Sequence, residues 1–127
     1  MHKSKLAGFI IDCQTSDIQG AAEFWGTALG MQVRQLPAEE GDQYVQLLDP
    51  ADHLHIEVQA VTHPSRVHLD IETDDVDAEV RRLENCGAKQ VAKINTWVVM
   101  EAPTGQRFCV VRVQSKDFSA TANTWNG

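Results

Sequence analysis

Four of the chain's five histidines fall in one stretch, HLHIEVQAVTHPSRVHLDIET (residues 53–73), as His53, His55, His63 and His68. Glu57, Asp70 and Glu72 lie among them. Imidazoles and carboxylates at short spacing are donor types of divalent transition-metal sites, and the same pair of groups moves protons by general acid–base chemistry. What they can do together depends on the elements that carry them. Strand side chains alternate between faces. Over 54–61, Leu54, Ile56 and Val58 form one row and His55, Glu57 and Gln59 the other; over 66–73, Val67, Leu69 and Ile71 oppose His68, Asp70 and Glu72. The apolar rows suit packing beneath helices, which turns His55, Glu57, His68 and Asp70 toward one groove. His53 and His63 lie in or beside turns and read as structural or solvated. A plainer account competes for the rest: strand histidines commonly satisfy a hydrogen bond, and a Glu57–His68 pair would neutralise itself. Asp70 and Glu72 read as solvated or helix-adjacent charges, with Asp70 also a candidate ligand contact.

The surrounding pattern supplies strands and helices twice in the same order. LAGFIIDC (6–13) reads as a buried strand. SDIQGAAEFWGTALG reads as a helix over 17–29, with apolar residues at helical spacing, Ser16 and Gln19 placed as a capping box, and Gly30 as its terminating glycine. MQVRQL (31–36), YVQLLD (44–49) and LHIEVQAV (54–61) are strand-like, separated by turn chemistry in AEEGD (38–42) and DPAD (49–52). The order then recurs: strand RVHLDIET (66–73), helix DDVDAEVRRLENCG with acids in its first turn and a glycine at its end, then strands KQVAKI, TWVVME and RFCVVRV. The fold class expected is α+β, with two βαβββ modules at about 5–62 and 65–114 forming one domain over 1–114 and a C-terminal tail at 115–127. A module of this size is too small to stand alone, so duplication within one fold is the natural reading. The tail is polar with two lone aromatics, and either its own domain or a partner chain must hold it.

Composition narrows the partners. The 127 residues are 43% hydrophobic and 23% charged, with 11 Lys and Arg against 18 Asp and Glu, giving a formal net charge of −7. An acidic chain without a basic cluster disfavours nucleic acid and anionic membranes and favours cationic ligands. No stretch approaches transmembrane length, and the apolar run near the start is too short for a signal peptide. Cys13, Cys86 and Cys109 are odd in number and widely spaced, which argues for reduced thiols in a cytoplasm.

The chain resembles the vicinal oxygen chelate superfamily, the glyoxalase/bleomycin-resistance/dioxygenase group, and within it the uncharacterised glyoxalase-like domain proteins. DCQTSDIQGAAEFWGTALGM, RVHLDIETDDVDAEVRRLENCGA and APTGQRFCVV carry the resemblance, which runs over about residues 6–114. It implies that each module curls into a half-barrel sheet whose concave side holds a ligand groove, and that the chain forms a homodimer. The superfamily's chemistry is diverse, so function has to come from the site. In its metal-dependent members one ligand comes from the first and last strand of each module. The corresponding positions here are Ile10, Glu57, His68 and Cys109. Glu57 and His68 are sound ligands; Ile10 cannot coordinate, with Asp12 two residues on along the same face; Cys109 stands where such members carry a glutamate. No cofactor is therefore expected, and a divalent metal is the alternative.

Tyr44 and Trp97 begin the middle strands of the two modules. With Asp12, Glu57 and Asp70 they would line an acidic, aromatic groove suited to a cation, unless they fill the core. Three functions follow. The first is a small-molecule binding protein without a complete catalytic metal, contacting its ligand through Asp12, Tyr44, His55, Asp70, Trp97 and Cys109. The second is a metal-dependent lyase or isomerase of the glyoxalase type with Glu57 as base and His68 as acid or ligand. The third is a non-catalytic protein-interaction module.

Overall fold

The computed structural model describes residues 1–37 and 43–126; the turn expected at 38–42 lies outside them. The described residues form nine strands and three helices, α+β as expected. They divide into two compact units, Gly8–Val67 and Met1–Ala7 together with His68–Gly127. No helix among the described residues is long and apolar enough to cross a membrane.

In the Gly8–Val67 unit, β1 (His2–Gln14, whose first residues belong to the other unit) is followed by α1 (Ile18–Leu29), β2 (Gln32–Gln35), β3 (Tyr44–Leu48) and β4 (His55–Val61). Strands β2, β3 and β4 form an antiparallel meander, and β4 runs parallel to β1 with Gly8 opposite His55 and Ile10 opposite Glu57. A side chain at Gly8 would overlap the His55 carbonyl, so only glycine allows this approach. Helix α1 is not capped by the expected Ser16–Gln19 box. Asp17 is the N-cap and accepts from the Gly20 N–H at 3.0 Å, while the Gln19 amide is held in a reciprocal pair with Gln35 at 2.9 and 2.8 Å. Gly30 ends the helix in the left-handed region at φ 69°. Ile11, Ile18, Ala22, Val45, Leu47, Ile56 and Val58 close the core between α1 and the sheet.

The second unit carries β5 (Arg66–Thr73, its first two residues lying in the first unit), α2 (Val76–Asn85), β6 (Lys89–Ile94), β7 (Trp97–Glu101) and β8 (Arg107–Arg112). Strands β6, β7 and β8 are antiparallel, and β5 runs parallel to β8. Asp75 caps α2 by accepting from the Ala78 N–H, and Val80 packs on Val98, Met100 and Val110. The expected inside-out sense of β5 is reversed in part. Val67 and Leu69 are exposed, whereas Asp70 and Glu72 are buried. The packing of α2 centres on Val110, opposite Ile71, and the first residues of β5 extend past that cover.

The tail belongs to this same unit. It forms α3 (Phe118–Thr121) and β9 (Asn123–Trp125), with Phe118 buried and β9 antiparallel to His2–Ser4 of β1. The Trp125 indole N–H donates to Ser4 Oγ at 2.8 Å, and the Arg82 guanidinium stacks 3.8 Å from the Trp125 ring centre. Arg82 grips fully buried Glu79 through two hydrogen bonds of 2.8 and 2.7 Å, and the fifth histidine, His2, meets the same carboxylate at 2.7 Å.

Candidate metal centre and polar sheet faces

His68 and Asp70 lie two residues apart on β5 and so share a face. The β5–β8 register places Cys109 directly opposite Asp70. One ligand atom from each of the three lies within 4.8 Å of the other two. Asp70 is only 6% exposed. His68 Nε2 stands 3.6 Å from Asp70 Oδ1. That separation exceeds the ~3.2 Å reach of a good hydrogen bond. It matches the edge of roughly 3.3–3.7 Å expected between ligands of a tetrahedral ion bound at ~2.0–2.3 Å. Nitrogen, oxygen and thiolate together suit a borderline ion such as zinc better than calcium or magnesium. Val99 on β7 is opposite Cys109, and Trp97 falls two residues before it on the same face, half-buried.

The Gly8–Val67 unit presents a second polar face. Glu57 on β4 takes His55 as its ion-pair partner, Nε2 to Oε2 at 2.8 Å. Register puts Ile10 of β1 on one side of Glu57 and Gln46 of β3 on the other. Ile10 is 3% exposed, so an apolar side chain fills the position beside Glu57. Asp12 is buried on the same face and faces Arg66, with Nε to Oδ2 at 3.6 Å. Tyr44 accepts from the Gln59 side-chain amide at 2.9 Å through its hydroxyl oxygen. Reading the sequence did not single out Arg66; its only signal was that it opens the strand carrying His68 and Asp70. It turned His68 and Asp70 toward one groove but did not pair Asp70 with Cys109, because that requires the register of two strands far apart in the chain.

Both outlying histidines serve their turns. The His53 backbone N–H donates to Asp49, and the His63 ring bonds the Pro64 carbonyl oxygen at 2.9 Å. Three backbone N–H groups, of Ala51, Leu54 and His53, hold the half-buried Asp49 carboxyl below its usual value. Burial pushes the Cys13 thiol up, a hydrogen bond with Trp25 opposes this, and the Asp12 charge adds to it; the outcome is a protonated, unreactive thiol.

The chain matches the family model described as a glyoxalase-like domain over residues 8–111. A search of curated protein sequences finds no match. Among solved structures, the methylmalonyl-CoA epimerase of Mycobacterium tuberculosis superposes with a TM-score of 0.64 at 18% identity, over 87% of this chain and 89% of that one. A variant of the Streptomyces coelicolor methylmalonyl-CoA epimerase, in complex with 2-nitronate-propionyl-CoA, gives 0.61 at 17% identity, over 87% and 98%. The Mn(II)-bound glyoxalase from Novosphingobium aromaticivorans gives 0.61 at 15% identity, over 88% of this chain but 40% of that one. At such identities the likeness establishes a common fold and leaves chemistry to the side chains.

Proposed function

The chain belongs to the glyoxalase-like domain family, and we propose on that premise that it acts on a small molecule through a divalent cation held by His68, Asp70 and Cys109. The convergence of these three donors carries the reading. When bound, such a cation supplies Lewis-acid polarisation of a carbonyl oxygen. His68 offers Nε2, Asp70 a buried carboxylate oxygen and Cys109 its thiolate, and Trp97 lies on the same sheet face as an apolar contact. Glu57, paired with His55 on the polar face of the Gly8–Val67 unit, is the proton-accepting group we assign within that unit. Asp12, Tyr44 and His55 provide polar contacts to the ligand. The reaction class is lyase or isomerase, and a homodimer in the cytoplasm is the assembly and setting we assign.

A second reading, ligand binding without a metal, draws support from Ile10. The resemblance would place a metal ligand at that position, and Ile10 is a buried hydrocarbon. Elemental analysis after extensive dialysis separates the two. About one equivalent of a zinc-like ion per chain, absent from His68→Ala and Cys109→Ser, supports the first reading. A metal-free wild type that no divalent ion stabilises against heat refutes it and favours the second.

A further inference from the structure

One end of the sheet in the second unit holds a cavity of about 610 Å3. Three pieces of backbone enclose it: the β5–α2 junction at 73–77, the tip of the β6–β7 hairpin and the end of β8. Each piece is tied down. Lys3 clamps the junction, its carbonyl oxygen accepting from the Thr73 hydroxyl at 2.8 Å and its N–H donating to Asp74 Oδ1 at 2.8 Å. The hairpin turns in two residues between paired Ile94 and Trp97, with Asn95 in the left-handed region at φ 54°. Just past β8, the Gln114 and Ser115 N–H groups each donate to buried Glu72 at 3.0 Å. Register and alternation then fix the face on which the cavity's cations lie. Lys93 is opposite Val98, and Arg112 lies two residues beyond Val110; Val98 and Val110 pack against α2, so both basic side chains lie on the α2 side of the sheet. Asp70 and Cys109 are each one residue out of step with that row and lie, with His68, on the other face.

The cavity carries both signs of charge: Lys93 and Arg112 border it, and so do Asp74, Asp75 and Asp77. Among the described residues no ion pair joins these cations to these acids, although all of them border one space. Asp75 is committed to the Ala78 N–H, so the end of α2 is already filled by a side chain of the protein. The Asp77 carboxylate, on the first turn of α2, has no hydrogen-bond or ion-pair partner among the described residues. An anion alone would meet three carboxylates here, and a cation alone would meet Lys93 and Arg112. A molecule bearing both charges finds a partner for each. The planar fork of Arg112 suits a carboxylate in particular. Strand order sets the reach: from β5 through β8 and β7 to β6 is three steps of ~4.8 Å, so the strand ends carrying the acids and Lys93 are about 14 Å apart, with Arg112 between them. The geometry points to a second small-molecule site, which takes a zwitterion whose ammonium group meets Asp77 and Asp74 and whose carboxylate meets Arg112 and Lys93, with a spacer between the two charges. This site is independent of the metal reading above.

Amide NMR titration of the full chain tests the assignment with two spaced zwitterions, γ-aminobutyrate and ε-aminocaproate, beside caproate and hexylamine, which each keep one of the charges. At least one zwitterion is expected to shift the amides of Val76, Asn95, Thr96 and Val113 saturably, and to bind roughly tenfold or more tightly than caproate or hexylamine. Arg112→Gln and Asp77→Asn should each weaken that binding roughly tenfold, since each removes one charged hydrogen bond. Both side chains are exposed, so both variants should melt with the wild type. His68→Ala, on the opposite face, should bind the zwitterion as the wild type does. Caproate or hexylamine binding as tightly as the zwitterions overturns the assignment, and so does unchanged affinity in Arg112→Gln and Asp77→Asn. Absence of shifts at these amides with both zwitterions overturns it as well and leaves the metal reading untouched.

Discussion

Replacing Arg82 by alanine tests how the protein holds its two chain ends. Glu79 is completely buried, and Arg82 meets it with two short hydrogen bonds while stacking on Trp125. Burial pushes the Glu79 carboxyl up, but hydrogen bonds from Arg82, His2 and Ser4 outweigh it and hold the group below its ordinary value of 4.5. Breaking a buried ion pair from one side typically costs ~3–5 kcal/mol, because the remaining charge stays buried. Loss of the cation–π contact belongs within that range rather than on top of it. With 127 residues and an unfolding entropy of about 2.1 cal/mol/K per residue, each kcal/mol lowers Tm by about 4 °C. Arg82→Ala should therefore melt roughly 11–19 °C below the wild type at pH 7. The pH dependence has a definite sign. A depressed folded pKa means that the stabilisation is fully present above the unfolded value and is lost as pH falls through the folded one. Without Arg82 the carboxyl titrates higher, so the gap between variant and wild type narrows on acidification below about pH 5. Urea and thermal unfolding from pH 4 to 8 measure it, with Glu79→Gln completing a double-mutant cycle. A loss under ~1 kcal/mol at pH 7, or one unchanged in the Glu79→Gln background, would show that the pair behaves like a surface salt bridge and refute the reasoning.

Other perturbations follow from the same contacts. Gly8→Ala should cost about 1–3 kcal/mol by forcing β1 from the His55 carbonyl, and the NMR signals of His55 and Glu57 should shift with it. Met100→Ala, at a fully buried core position, should lose ~2–5 kcal/mol in urea unfolding. Asp49→Ala removes the acceptor of three backbone N–H groups; amide hydrogen exchange at Ala51, His53 and Leu54 should rise while the rest of the protein keeps its protection. Deleting residues 123–126 strips β9 from β1 and removes the Trp125–Ser4 hydrogen bond, which should lower Tm.

Much of this protein was legible in local sequence chemistry. Helical spacing marked α1 and α2, Gly30 marked a helix end, and a pattern of two marked the strands and their faces. The repeat order and the family resemblance pointed to the glyoxalase-like fold. These signals are readable because caps, turns and side-chain alternation act over a few residues. The donor residues themselves were also visible, since residue type alone makes His68, Asp70 and Cys109 capable of coordination.

The pairing of Asp70 with Cys109 was not visible. Asp70 meets Cys109 because β5 pairs with β8 in one particular register, and register is a contact between segments nearly forty residues apart. The burial of Asp70 and Glu72 had the same origin. Alternation separates two rows on a strand, but which row is covered depends on where α2, β8 and the tail come to rest. Residues 114 and 115 reach Glu72 only once the tail has folded back, and Glu79 is held inside by Arg82 of its own helix together with His2 and Ser4, which arrive from β1. A charge in the interior is decided by partners that the local sequence does not contain, which is why tertiary structure alone determined the site.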